Sequence, residues 1–173
     1  DVELDMYEKL VQKAEQYAAD FVMCDYRRIL SDGATSLVTK SLSGGFYEKK
    51  DIRDRIFPVL IMGENVDYGP LLSVWHCLYN REFLQNNKIV FAEDVKWSED
   101  NLFSAYVGYN ARRFYYIKGE ALYHYYQNAE SITTSYRAGA WEIYCRMNEY
   151  LREYFLEKKD FDFSWQIQLH ILY

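Results

Sequence analysis

Asp20-Phe21-Val22-Met23-Cys24-Asp25-Tyr26 is the stretch that decides the fold. It is short and mostly apolar, the pattern of a strand covered on both faces. Directly before it, Leu4, Tyr7, Leu10, Val11, Ala14, Tyr17 and Ala18 recur every three or four residues. That spacing predicts an amphipathic helix over 3–18, with Asp5 and Glu8 at the end where the helix dipole favours anions. A helix that feeds a buried strand must pack back onto a sheet, so the fold class is α/β.

Working outward, the polar stretch 27–45 holds Ser31-Asp32-Gly33, a turn signal, and a short strand over 36–40. Ile52, Ile56, Val59 and Leu60 place a helix within 47–62, which Pro58 should kink or end near Phe57. The segment 63–70 reads as loop. β-branched and aromatic residues predict a strand over 74–79, then a helical turn over 81–85 and an extended piece at Ile89-Val90-Phe91. The segments 113–117 and 121–127 read as strands around Lys118-Gly119-Glu120, a hairpin signal. Ser131 to Ser135 is a polar loop. Trp141, Tyr144, Met147, Leu151, Tyr154 and Phe155 predict a long helix over 140–158, and a second terminal helix follows over 161–173.

A chain of 173 residues is one domain's worth, and half of it is hydrophobic, so a sizeable core is available. The net charge of −6, with no basic block, argues against a nucleic-acid partner. The 18 Tyr, 10 Phe and 4 Trp fit a packed core first and a sugar-stacking surface second. Cys24, Cys77 and Cys145 form no CxxC pair and no zinc spacing, which predicts reduced thiols in a cytosolic protein. No apolar run approaches the ~18 residues of a membrane helix, and the start carries no signal-peptide pattern.

Chemistry concentrates at Trp97-Ser98-Glu99-Asp100-Asn101-Leu102-Phe103. Ser98 is a good N-cap residue, with apolar positions at Leu102, Phe103, Tyr106 and Val107 after it. Glu99 and Asp100 then fall in the first helical turn, where free N–H groups and the dipole favour ionised carboxylates. The plain reading is two acids favouring a helix start. The alternative is a catalytic reading of the same two acids. Glu93-Asp94 is a competing acidic pair, read as a solvated loop. His76 sits in a strand pattern as a packed residue.

Three ordered phrases resemble the second half of a family-2 glycosyltransferase of the GT-A fold. The first runs from Asp5-Met6-Tyr7-Glu8-Lys9-Leu10 to Ala19-Asp20-Phe21-Val22-Met23-Cys24. The second is Val74-Trp75-His76-Cys77-Leu78-Tyr79-Asn80-Arg81-Glu82-Phe83-Leu84, then Ile89-Val90-Phe91. The third is Ser98-Glu99-Asp100-Asn101-Leu102-Phe103, then 113–117, Leu122-Tyr123-His124-Tyr125-Tyr126 and Ser131-Ile132-Thr133.

The resemblance implies a partial GT-A-type sheet flanked by helices, with 1–135 the acceptor-side part and 136–173 a helical C-terminal extension. It implies an inverting sugar transfer from a nucleotide-diphosphate donor to an acceptor hydroxyl, in polysaccharide or glycan biosynthesis. Asp100 matches the family's general base, with Glu99 beside it. Trp97, Trp75 and His124 are the candidate substrate-binding residues. Such an enzyme uses a divalent metal, Mn or Mg, held by an Asp-x-Asp motif. Asp1 stands at the border of where that motif would end, so the nucleotide-binding half is expected to be missing and the fragment inactive alone, with no metal held tightly. Implied partners of the parent enzyme are the nucleotide-sugar and a glycan or lipid-linked acceptor. Homodimerisation and peripheral membrane association are further expectations, with the cytoplasm, including the inner face of the plasma membrane, as the location. The alternative function is a non-catalytic interaction or glycan-binding domain acting through dimerisation.

Overall fold

The computed structural model describes residues 1–127 and 139–172, so the expected loop over 131–135, with its Ser131-Ile132-Thr133, lies outside the described residues. The chain forms two compact units, one made of Asp1–Glu48, Trp75–Asn80 and Arg112–Ala138, the other of Lys49–Val74, Arg81–Ala111 and Gly139–Tyr173. The fold class is mixed α/β, as the helix-to-strand junction predicts.

The first unit is a five-stranded sheet with one helix. Helix α1 spans Met6–Tyr17 and ends on Ala18 in the left-handed conformation. Strand β1 spans Phe21–Ile29, and its first six residues are buried. Strands β2 (Thr35–Val38), β3 (Gly45–Glu48), β4 (Cys77–Tyr79) and β5 (Arg113–Tyr126) complete the sheet. The order is β2-β1-β5-β3, with β4 also on β1. β1 pairs antiparallel with β4 through Phe21–Met23 and with β2 through Tyr26–Ile29, and parallel with β5 along its whole length. α1 buries Met6 and Leu10 against Val22, Cys24, Ile117 and Leu122. The Ser31-Asp32-Gly33 turn closes β1 onto β2: Gly33 is left-handed, and the Asp32 carboxylate accepts from Ala34 N at 2.9 Å.

The hairpin expected around Gly119 is instead one continuous strand, and both of its halves follow β1. The register slips between Cys24 and Tyr26, where Ile117 is followed opposite β1 by Ala121. Asp25, only 1% exposed, explains the bulge. Its carboxylate accepts from Gly119 N at 2.7 Å and from the Tyr116 hydroxyl. The buried acid thus uses the backbone donor that the bulge frees, which a reversing turn would have spent on itself.

In the second unit, α2 spans Lys49–Arg55 and a 3-10 turn covers Phe57–Val59 with Pro58 inside it, so the helix expected over 47–62 is short and ends where the proline requires. Residues 45–48 are strand rather than helix. α3 is Arg81–Asn86, α4 Glu99–Asn110, α5 Ala140–Phe155 and α6 Ser164–His170. The expected strand at 89–91 does not form, and the strand expected from 74 begins only at Cys77.

Two side-chain clasps tie these short helices together. Gln166 is buried; its Oε1 accepts from Ile61 N at 2.8 Å and Met62 N at 3.3 Å, and its Nε2 donates to Phe57 O at 2.7 Å. Lys49 Nζ donates to the carbonyls of Tyr109 and Ala111, closing the C-terminal end of α4. Phe57, Tyr109, Phe155 and Phe163 pack ring on ring between them.

Candidate functional site

The start of α4 carries the strongest candidates. Leu102, Phe103, Ala105 and Val107 are buried and fix the helix in the unit, and Phe91 stacks flat on Phe103 at 4.2 Å. Ser98 occupies the N-cap position, but its hydroxyl does not cap. Its φ is 60°, a left-handed conformation that non-glycine residues adopt rarely and at a cost. The expected side-chain cap is therefore corrected: the Ser98 Oγ accepts from Asn101 Nδ2 at 3.1 Å, and Asn101 N donates to Ser98 O at 3.0 Å. This tight turn delivers Glu99 and Asp100, both half-buried, at the first turn of a helix whose N–H groups favour anions.

Trp97 precedes the turn. It is half-buried, with its ring edge-on to Tyr144 of α5 at 5.3 Å. The acidic loop before it is fastened to α5 as well. Asp94 accepts from Arg146 Nε at 2.7 Å and from the Tyr150 hydroxyl at 2.8 Å, and Arg146 also donates to Glu149 at 2.9 Å. The Arg146 guanidinium holds the Asp94 carboxyl below the usual carboxylate range. Asp94 thus anchors the loop that carries Trp97, and Glu93 is exposed. Trp97, Glu99 and Asp100 stand within four consecutive residues of the second unit.

Trp75, His124 and Asp1 belong to the first unit. The N-terminal residues lie along the second half of β5: His124 N donates to Asp1 O at 2.7 Å, Glu3 N donates to Leu122 O at 2.8 Å, and Val2 bridges Tyr123. Asp1 therefore lies beside His124. His124 Nε2 meets Glu3 Oε1 at 2.9 Å, and Arg27 is its register partner on β1. Glu3, which the sequence assigns only to a helix start, joins the His124 surroundings by this edge pairing. Trp75 packs against Tyr26, Tyr123 and Tyr125, with centroids 4.4–5.2 Å away. Tyr123 and Tyr125 alternate with His124, so His124 projects to the other side of the sheet.

His76 is the packed residue its strand context predicts. It is 1% exposed, its Nδ1 donates to Cys24 O, and burial lowers its pKa to about 4. All three cysteines are free, and burial raises Cys24 and Cys77 to about 12.

The metal that the resemblance implies can be set against these donors. At the Asp1 edge, the side-chain contact is the Glu3–His124 pair, and no group of three or more His, Cys, Asp or Glu among the described residues could hold a metal ion. The described residues therefore do not by themselves fit a closed metal site.

The fold matches part of the GT-A fold of S. aureus TarS. The match to the crystal structure of TarS 1–349 in complex with UDP-GlcNAc has a TM-score of 0.63 at 15% identity, covering 99% of this chain and 44% of that one. A second TarS crystal structure matches with a TM-score of 0.55 at 17% identity over 96% of this chain and 25% of that one. In sequence, the chain is similar to EpsJ of Bacillus subtilis strain 168, described as an uncharacterized glycosyltransferase, with 27% identity over 128 residues. That alignment covers 74% of this chain and 35% of EpsJ, so the chain spans about a third of its relative's length. No family model matches the sequence. The chain is thus related over most of its length to glycosyltransferases. No helix among the described residues is long and apolar enough to cross a membrane.

Proposed function

We propose that this chain is the acceptor-side part of an inverting glycosyltransferase that moves a sugar from a nucleotide-diphosphate donor to an acceptor hydroxyl in polysaccharide or glycan biosynthesis. The observation that carries the reading is the left-handed Ser98 turn, which holds two adjacent carboxylates at the start of a well-packed helix. A backbone cost at this position is the kind that functional sites retain. The similarity to EpsJ and the fold shared with TarS supply the reaction class.

In this reading Asp100 is the general base. It takes the proton from the acceptor hydroxyl as the oxygen attacks the anomeric carbon. The bond to the nucleotide diphosphate breaks on the opposite face, so the configuration inverts. Glu99 orients that hydroxyl or bonds a neighbouring one, and Trp97 offers a ring to the apolar face of the acceptor sugar. Trp75 and His124, in the first unit, are proposed as further substrate-binding residues. A divalent metal, Mn or Mg, would neutralise the leaving diphosphate, and it enters no step assigned to these residues.

The test is Asp100→Asn in the full-length enzyme. Loss of a positioned base lowers turnover by about 10²–10⁴-fold. Unchanged turnover removes Asp100 from the mechanism.

One observation favours the second reading, a non-catalytic domain that dimerises. Leu4, just before α1, and Tyr7 and Val11 on it are exposed apolar residues, with Leu4 fully exposed. Sedimentation of the chain checks it: a chain that stays monomeric at high micromolar concentration rules dimerisation out.

A further inference from the structure

Inside the second unit lies a cavity of about 10 Å³, among Leu102, Met147, Leu151 and the polar side chains of Asn101, Tyr68 and His170. That is the space of one water molecule. His170, on α6, is 1% exposed, and its Nε2 has no hydrogen-bond partner in the protein. The other ring nitrogen is engaged. Asn148 Nδ2 donates to Ile167 O at 2.9 Å and lies 3.3 Å from His170 Nδ1. An amide nitrogen can only donate, so Nδ1 accepts and the ring proton sits on Nε2. Burial keeps the imidazole neutral. A buried N–H donor is thus left over at a ring that lines a water-sized space, and such groups in native proteins find a partner or an ordered water.

Asn101 lines the same space. Its Nδ2 is committed to Ser98 Oγ, so its Oδ1 is the end left to accept. We propose that one water in this space accepts from His170 Nε2–H and donates to Asn101, which makes His170 a positioning residue for the first turn of α4. The chain of contacts is short. The water holds Asn101, and Asn101 holds Ser98 by main chain and side chain. Ser98, in its left-handed conformation, sets the direction of Glu99 and Asp100. A non-glycine residue stays there only when its neighbours over-determine it. The C-terminal helix would thereby contribute to a turn that lies more than sixty positions earlier in the chain. The catalytic consequence rests on the reading of Asp100 as the base; the water and its hold on Asn101 do not.

The experiment is a crystal structure of the unaltered chain, joined to amide hydrogen exchange of His170→Leu and His170→Gln. The structure should show one water within hydrogen-bond distance of both His170 Nε2 and Asn101. In His170→Leu the Asn101 amide should exchange about tenfold faster, with amides of β1 unchanged. His170→Gln keeps an N–H donor of similar reach and should restore much of the protection. An empty cavity, or an Asn101 amide equally protected in the Leu variant, overturns the proposal. If the Leu variant does not fold, the Gln variant and the unaltered structure still decide the matter. In the full-length enzyme, His170→Leu should lower kcat while leaving the donor KM unchanged. If Asp100→Asn retains turnover while the water is present, the assignment of Asp100 as the base fails and the positioning contact stands. If the water is absent while Asp100→Asn is inactive, the reverse holds.

Discussion

The two units solve the same problem by different means. The first is held by main-chain ladders around one central strand, and its core is the usual set of apolar side chains between helix and sheet. The second has no sheet among the described residues. Its helices are short, four of its five α-helices having 12 residues or fewer. Such segments are marginal alone and need tertiary contacts. Ring stacking and a few buried polar side chains supply them: Gln166 on the 57–62 loop, Lys49 on the end of α4, Asn148 on α6. Order that comes from a ladder is spread over many equivalent bonds, whereas order that comes from clasps is concentrated in a few residues. The candidate base belongs to the concentrated kind.

The sharpest way to break this contrast is Gln166→Leu. It strands two buried N–H groups and a carbonyl, and should cost about 3–5 kcal/mol. Urea denaturation measures it, and a loss below ~1 kcal/mol would mean that the clasp is not what holds the loop. Next come the two buried histidines, His76 in the first unit and His170 in the second. Burial lowers both to about 4, below the ordinary value of 6.5. The unfolded chain therefore binds protons that the folded chain refuses between those values. Stability is fully present above about pH 6.5 and falls as the pH drops toward 4, by roughly 2–3 kcal/mol for each histidine. Replacing either one with Gln should remove its share of that slope in melting curves taken from pH 7 to 4.5. A smaller effect is expected at the bulge. Gly119 has φ +90° with open space around it, so Gly119→Ala costs backbone strain alone, about 1 kcal/mol. Last is Arg146→Ala. The Asp94 pair is exposed and worth little, so the melting temperature should stay within error, and any effect should appear in the loop carrying Trp97.

What could be read in the sequence follows the same divide. β1 was legible because an uninterrupted apolar run of its length, fed by a helix, fits little besides a buried strand. The Ser31-Asp32-Gly33 turn was legible because its residues supply a left-handed glycine and a side-chain acceptor. α4 and α5 were legible from their apolar spacing, and the motif brought Trp97, Glu99 and Asp100 together. β5 was misread because Lys118-Gly119-Glu120 has turn chemistry. Only Asp25, far off in sequence, turns it into a bulge. The hold of His170 on the site and that of Gln166 on its loop were illegible for a related reason. A polar residue within an amphipathic pattern reads as solvent-facing, and only the fold reveals that it faces a loop's bare amides. The edge pairing that brings Asp1 and Glu3 beside His124 likewise leaves no local periodicity to find.

The parallel pairing of β1 with β5 also has a consequence in time. Its partners stand as far apart as Phe21 and Phe114, so the central strand cannot find its neighbour until most of the chain exists. Closing so long a loop is slow, because its entropy is lost before any contact compensates. During synthesis at about 5–20 residues per second, the strand waits for several seconds with its apolar residues unpaired. The β1–β2 hairpin forms first and shields the end nearest Ile29, whereas the Phe21–Met23 end gains its first partner only when β4 at Cys77–Tyr79 has been made. The Phe21–Cys24 end is therefore where a chaperone would be expected to bind the nascent chain.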